Sequence, residues 1–318
     1  MHIEEILRRS GLEARVTGRF APSPSGPMHL GNLACCLLAY LSARKQGGRF
    51  LVRIEDLDTQ RCKRESGEDA LRVLERFGFN WDETPLWQSE RDAAYLAALT
   101  RLSSQNLLYP CFCTRAELMV SSAPNLGDTK TVYAGTCRSL SEAQIREKRL
   151  TRTPALRLRV PAEEIAFTDT LQGPVLERLD RDCGDFIVRR SDGLWSYQLA
   201  VVVDDGASSV TEVIRGRDIL SVTPRQIYLQ RLLDIPTPAY THIPLLLDPC
   251  GKRLAKRDHA LGLDALLASH SPQAILGMLA CAYGLLPRPV PITPDDLIAS
   301  FSWDRVPRTD VRIPEGWI

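Results

Sequence analysis

The sequence predicts an α/β protein: a Rossmann-like parallel sheet interrupted by an inserted subdomain and followed by a short helical tail. Three observations predict it. Near the start, a short strand-like stretch (16–20), a turn rich in proline and glycine, an apolar helix and an alternating apolar stretch succeed one another. That is the order of a βαβ unit with a right-handed crossover. Between about 109 and 185 the rhythm breaks into cysteines, a Ser/Pro/Gly loop and short β-like pieces, and from about 186 it resumes.

The elements follow in order. Residues 1–15 form an N-terminal extension, acidic as well as basic, without the apolar core of a signal peptide. Residues 16–20 read as a strand. "MHLGNLACCLLAYLSARKQ" reads as a helix stopped by Gly47 and Gly48, and "RFLVRIED" as a buried strand. Helical spacing returns in "SGEDALRVLERFGF" and "ERDAAYLAALTRLSSQ", which complete the first half of the α/β domain, 16–108. The insert, 109–185, carries a basic helix and the β-like "PALRLRV". The second half, 186–260, runs through "DFIVRR", "SYQLAVVVDD", "VTEVIRG" and the helix "TPRQIYLQRLL". Residues 261–318 read as helices with proline-rich breaks.

The bulk numbers bound the function. With 318 residues, 44% of them hydrophobic, the chain is long enough to bury a sizeable core. Its net charge of +1 excludes a global basic field, so a nucleic-acid partner needs a local patch. Residues 138–159 offer one: Arg138, Arg146, Lys148, Arg149, Arg152, Arg157 and Arg159 face only Glu142 and Glu147. A solvated helix face is the alternative. No apolar run reaches the roughly 18 residues of a membrane span. The chain is expected to be soluble and cytoplasmic, without a membrane partner, and to act as a monomer. Nine cysteines without an export signal argue against a disulfide framework.

Three stretches carry chemistry. In "RFAPSPSGPMHLGN" prolines flank Ser23 and Ser25, and Gly26 lets the backbone bend. The helix start near 28–32 offers free N–H groups and a positive dipole end, which suit phosphate. His29 adds a hydrogen bond or a charge. Gly31 weakens the helix by about 1 kcal/mol relative to alanine, which makes sense if a ligand ring lies against bare backbone; a braced turn with a capping histidine is the plainer reading. The second stretch, "GKRLAKRDHA", places Lys252, Arg253, Lys256 and Arg257 behind Gly251, either as a loop that closes on a triphosphate or as a solvated turn. The third is "CFC" at 111–113 with "YAGTC" at 133–137: Cys111, Cys113 and Cys137 supply three soft thiolates suited to zinc. The fourth ligand stays open among Tyr133, Glu117, Asp128 and water.

Here the sequence resembles a known family. Pro22, Ser23, Pro24, Ser25, Gly26, Pro27, Met28, His29, Leu30, Gly31 and Asn32 resemble the first signature of the class I aminoacyl-tRNA synthetases, with His29-Leu30-Gly31-Asn32 in the place of His-Ile-Gly-His. Arg253, Leu254, Ala255, Lys256 and Arg257 resemble the second, the Lys-Met-Ser-Lys-Ser loop. "RFAPSPSG", "LVRIEDLD", "SYQLAVVVDD" and "VIRGRDILSVTPRQIYL" are similar to the glutamyl branch, so the resemblance spans most of 16–260.

The resemblance implies a catalytic domain that makes glutamyl-adenylate from glutamate and ATP, with magnesium, and passes the glutamyl group to a tRNA nucleoside. It implies catalytic roles for His29 and Lys256, and ATP contacts from His29, Gly31, Asn32 and Lys256. It implies a glutamate site of Arg19, Phe20, Ala21, Pro22, Ser23, Glu55, Tyr197 and Arg215. The charges agree: Arg19 and Arg215 each suit a carboxylate, Glu55 an ammonium, and Tyr197 either end. Ion-pair and core roles are the alternatives for Glu55 and Tyr197. The resemblance also makes Tyr133 the fourth ligand of one structural zinc. Three positions depart from the signatures: Asn32, Arg253 and Ala255.

Only about 60 residues follow "RLAKR", fewer than the roughly 100 of a typical domain. This resembles the truncated glutamyl relatives that lack the anticodon-reading part. Those relatives attach glutamate to the queuosine base in the anticodon of tRNA(Asp), which implies activation without tRNA. A tRNA(Glu)-charging enzyme with a reduced C-terminus, a non-catalytic RNA-binding paralogue and a small-molecule adenylyltransferase are the rival readings.

Overall fold

The computed structural model describes residues 15–114, 117, 132–252 and 263–316. Strand β1 (Thr17–Phe20) is buried along its length and leads through the proline turn into helix α1 (Leu30–Lys45). Helix α1 is apolar on nearly every side, with Leu33, Cys36, Leu37, Leu38 and Tyr40 all buried. A helix of that kind belongs inside a protein rather than on its surface. Gly48 then lets the chain double back: a Cβ there would stand 2.6 Å from the carbonyl oxygen of Val16. Strand β2 (Arg49–Ile54) pairs in parallel with β1, Thr17 opposite Arg49. The expected βαβ unit is therefore present.

Helix α2 (Arg64–Arg76), strand β3 (Leu86–Trp87) and helix α3 (Asp92–Ser104) complete the first half. The second half supplies helix α5 (Tyr197–Ala207), strand β9 (Glu212–Gly216), helix α6 (Thr223–Leu232) and strand β10 (Ala239–Ile243). Together they make a five-stranded sheet of order β10-β9-β1-β2-β3, parallel throughout. The chain winds outward from β1 on one side and returns on the other. The topological switch therefore falls between β1 and β9, and a crevice opens at their carboxyl ends.

Between the halves, strand β4 (Leu108–Cys111), helix α4 (Glu142–Arg149), strand β5 (Ala155–Leu158), the hairpin β6 (Glu164–Asp169) and β7 (Gly173–Arg178), and strand β8 (Phe186–Arg189) form the insert. "DFIVRR" reads in sequence as the first strand of the resumed parallel sheet, yet β8 pairs with β5 in a small antiparallel sheet of order β4-β5-β8. Its alternating burial suits that place, since a strand of a doubly covered parallel sheet is buried on both faces.

After strand β11 (Leu246–Leu247), the tail adds helices α7 (Leu263–Ser269), α8 (Pro272–Ala282) and α9 (Pro294–Ile298) and strand β12 (Val311–Arg312). Helix α9 packs on α1, where Tyr40 donates to Asp295 at 2.6 Å, and β12 pairs in parallel with β11. Asp310 accepts from the amide of Leu245 and from Arg217. The tail is thus bound to the walls of the crevice. Among the described residues no single helix is long and apolar enough to cross a membrane.

One position tests the docking of the tail. A Cβ on Gly277 in α8 would stand 1.9 Å from the carbonyl oxygen of Val290, backbone that cannot swing aside as a side chain can. Gly277→Ala is expected to lower stability by about 1–3 kcal/mol or more, read as a shift in the urea midpoint. An unchanged midpoint would show that 287–292 is not held against α8.

Candidate active site

At the switch point lies a cavity of about 450 Å³. Arg19 to Ser23, leaving β1, form one wall; Ile214, Arg215 and Gly216, ending β9, form the other. Glu55, Tyr197, His29, Gly31 and Asn32 complete it, so every described residue expected to hold glutamate or ATP lines this one space. A slightly larger hollow, about 520 Å³, opens between α3 and β4, but no charged side chain lines it. The second signature, Arg253, Leu254, Ala255, Lys256 and Arg257, lies outside the described residues.

His29 is the N-cap of α1, with φ −124° and ψ 170°. Its Nδ1 accepts from the amide of Gly31 at 3.1 Å, while Asn32 Oδ1 accepts from the amide of His29 at 3.1 Å. This reciprocal pair satisfies two donors that a helix start otherwise leaves open. It explains the asparagine where the family signature has a second histidine. Because Nδ1 accepts, the proton of the neutral ring sits on Nε2, which becomes a donor. A Cβ on Gly31 would stand 3.0 Å from His29 Cε1. The glycine therefore makes room for the capping imidazole, in line with the plainer reading of a braced turn with a capping histidine.

Behind the cavity runs a buried charge network. Asp205 Oδ1 accepts from Arg19 Nε at 3.2 Å and from Arg53 Nη1 at 2.6 Å. Arg19 also donates to the carbonyl of Ile214, and Arg53 Nη2 reaches Glu55 Oε1 at 3.3 Å. Burial pushes the Glu55 carboxyl up, and Arg53 and Arg19 offset this only in part. Asp205 behaves oppositely: burial would raise it, but Arg53 and Arg19 outweigh burial and hold it below the usual carboxylate range. Neighbouring Asp204 accepts from Gln88, Arg91 and Tyr95, which ties α5 to α3 and the β3 end.

Arg215 is held on three sides. Its Nε donates to His242 Nε2 at 2.9 Å, its Nη2 to Thr223 at 2.8 Å, and its Nη1 lies 3.4 Å from the Tyr197 hydroxyl. Sequence reasoning missed Asp205, Arg53 as a working residue, His242 and Asp169. One signal was available: adjacent aspartates ending the apolar run "SYQLAVVVDD" require partners if that helix is buried.

The cysteines of the insert converge too. The sulfurs of Cys111, Cys113 and Cys137 all lie within 4.8 Å of one another, a donor set that suits a metal ion. The Tyr133 hydroxyl stands 3.5 Å from Cys111 and 3.7 Å from Cys113. Glu117 instead accepts from Thr114 and pairs with Arg152, and Asp128 lies outside the described residues. Burial pushes the Cys113 thiol up to about 12. Burial would raise Cys111 as well, but hydrogen bonding with Tyr133 and Arg157 brings it below its ordinary value. Of the basic residues in 138–159, Arg138 pairs with Asp185, Arg146 with Glu142, and Arg157 lies over the Tyr133 ring.

Comparison with known proteins places this geometry. Residues 15–275 match the family model described as tRNA synthetases class I (E and Q), catalytic domain. A Glutamyl-Q tRNA(Asp) synthetase of Symbiobacterium thermophilum is 48% identical over 310 residues, covering 93% of this chain and 95% of that relative. One of the same name from Geobacter sulfurreducens is 51% identical over 251 residues, covering 79% and 78%. Among solved structures, a glutamate tRNA ligase of Elizabethkingia meningosepticum in complex with its amino acid superposes with a TM-score of 0.81 at 27% identity, over 95% of this chain and 68% of that one.

The Asp205 cluster has a testable energetic signature. Asp205→Asn leaves Arg19 buried without a carboxylate and is expected to lower stability by about 3–5 kcal/mol at pH 7. The wild-type carboxyl titrates below its unfolded value of about 3.9. Its contribution is therefore full above that value and lost as pH falls through the lower, folded value. Urea unfolding at pH 7 and pH 3 should show the gap between variant and wild type narrowing at the acid end. A gap of equal size at both would refute the ion-pair account.

Proposed function

The chain belongs to the class I tRNA synthetase family of catalytic domains for E and Q and is a ligase of that type; from this we propose that it activates glutamate with ATP and transfers it to the queuosine base in the anticodon of tRNA(Asp). The observation that carries the reading is the mixed lining of one cavity. It gathers Arg19, Glu55, Tyr197 and Arg215 together with the His29-capped start of α1.

Glutamate brings two carboxylates and one ammonium. Arg19 and Arg215 each take a carboxylate, and Glu55 takes the ammonium. Burial raises the Glu55 carboxyl, and an arriving ammonium adds to Arg53 and Arg19 in favouring its charged form. A site built this way rejects uncharged analogues, whose binding would strand its own buried charges. At the start of α1, ATP phosphates meet His29 Nε2–H and the positive end of the helix dipole. ATP arrives with magnesium on its phosphates. A carboxylate oxygen of glutamate attacks the α-phosphorus; the new O–P bond forms as the bond to pyrophosphate breaks. Lys256, in the second signature, neutralises charge on the departing pyrophosphate. A hydroxyl of the queuosine cyclopentenediol then attacks the activated carbonyl and AMP leaves. That cis-diol resembles a ribose diol, so one pocket geometry serves it. Catalysis is mostly alignment and charge stabilisation.

We assign one structural zinc to Cys111, Cys113, Cys137 and Tyr133. Sulfurs on a tetrahedral zinc at about 2.3 Å stand roughly 3.8 Å apart, and those of Cys113 and Cys137 are 3.6 Å apart. The ion would displace the thiol protons, including the one that burial holds on Cys113, and so tie 111–113 to 133–137. None of the nine cysteines forms a disulfide, which suits work in the cytoplasm.

Incubation with ATP, glutamate and labelled pyrophosphate, without tRNA, is expected to give exchange into ATP. Arg215→Leu should raise the glutamate KM by about 100-fold or more. Labelled glutamate should then pass to tRNA(Asp) bearing queuosine and not to its unmodified transcript; label on tRNA(Glu) would overturn the acceptor assignment. Elemental analysis should find one zinc per chain, lost in Cys137→Ser; a wild-type chain purified without zinc and unaffected by it in thermal stability would refute the ligand set.

A further inference from the structure

The insert reaches the cavity through a buried relay. Asp169 ends β6, the first strand of the inserted hairpin, and is 1% exposed. Its Oδ2 lies 2.6 Å from His242 Nδ1, and its oxygens also accept from the amides of His242, Leu171 and Gln172. His242 on β10 is wholly buried, and its Nε2 faces Arg215 Nε at 2.9 Å. A guanidinium N–H only donates, so Nε2 must accept and the ring proton must sit on Nδ1, pointing at Asp169. Every link then has one donor and one acceptor.

We propose that Asp169 and His242 are positioning residues that fix the Arg215 guanidinium for a substrate carboxylate, so that the inserted hairpin sets amino-acid recognition. The proposal rests on the reading of Arg215 as a carboxylate ligand. Of the five N–H groups of Arg215, His242, Thr223 and Tyr197 take three, leaving two for a ligand. Those two point one way only if the other three are anchored. Asp169 anchors them by forbidding the other imidazole tautomer, in which Nε2–H would oppose Arg215 Nε–H. Burial, together with Arg215, holds His242 below its ordinary pKa despite Asp169, so the ring stays neutral and able to accept. Without the relay Arg215 keeps its charge but loses its orientation, and a bidentate contact depends on both.

The test pairs kinetics with spectroscopy. In pyrophosphate exchange, Asp169→Asn and Thr223→Val are expected to raise the glutamate KM about tenfold or more, with the ATP KM and kcat within about twofold. A residue of purely structural importance would lower the active fraction and leave both KM values alone. Imidazole ¹⁵N spectra of the wild type at pH 7 should show His242 neutral and protonated at Nδ1, and Asp169→Asn should move that proton to Nε2. Folded variants with a wild-type glutamate KM, or a wild-type His242 that is charged or protonated at Nε2, would overturn the relay. If Asp169→Asn does not fold, Thr223→Val and the wild-type spectrum decide. If the wild type gives no exchange with glutamate, the glutamate reading falls while the spectra still judge the relay.

Discussion

One carboxylate oxygen holds the catalytic halves together. Asp205 Oδ1 accepts from Arg19 on β1 and Arg53 on β2, residues 186 and 152 positions away in sequence. The intervening chain includes the whole insert, so no local preference brings these groups together. Removing two guanidinium groups from water is unfavourable unless their partners are well placed. Here the partner sits on α5, whose apolar side packs in the second core cluster with Leu199, Ala200 and Val202. Core packing thus delivers the carboxylate, and the carboxylate permits Arg19 to stand charged at the cavity wall. Glu55, tied to Arg53, is held in the same set.

The cavity's position follows from topology before any side chain is considered. A parallel sheet that winds outward in both directions from β1 must leave a crevice between β1 and β9. The carboxyl ends of β1 and β9 lie side by side there, which brings Arg19 and Arg215 to one space. The proline turn then starts α1 at the same crevice, so a helix N-terminus opens beside two fixed cations. His29 serves two purposes in one residue: Nδ1 closes the helix start, and that bond fixes the tautomer that makes Nε2 a donor. Local helix capping and the proposed contact with ATP phosphates are therefore the same hydrogen-bond choice.

Much of this was legible in the sequence, and the rest was hidden for a physical reason. The parallel sheet, the βαβ start and the convergence of cysteines could be read because period, turn residues and ligand chemistry are local signals. The motif residues lining the cavity could be named because their types and order resemble a family. Asp169 and His242 could not: they meet across 73 residues, and nothing about a histidine in "YTHIP" says that an arginine on the next strand needs an acceptor. Strand β8 shows the same limit. Its apolar alternation announced a strand but not its partner, and only the sheet pairing assigns it to the insert. Asn32 is the converse, a departure from a signature that capping geometry explains at once.

The tail extends the logic of borrowed support to the walls of the cavity. Leu245 and Leu246 line that cavity, and the short strand they lead into is too brief to hold itself in place. Two residues of β12 pair with it, and Asp310 binds the Leu245 amide and Arg217 together. Beyond β11 the chain turns at Gly251, φ +81°, where the Arg312 guanidinium occupies the space a Cβ would need. The turn that precedes the second signature in sequence thus stands beside a tail residue, and β11 before it is held by β12. On the proposed reading, a loop that closes on a triphosphate and then releases pyrophosphate needs an anchored base, and the pairing of β11 with the tail supplies it.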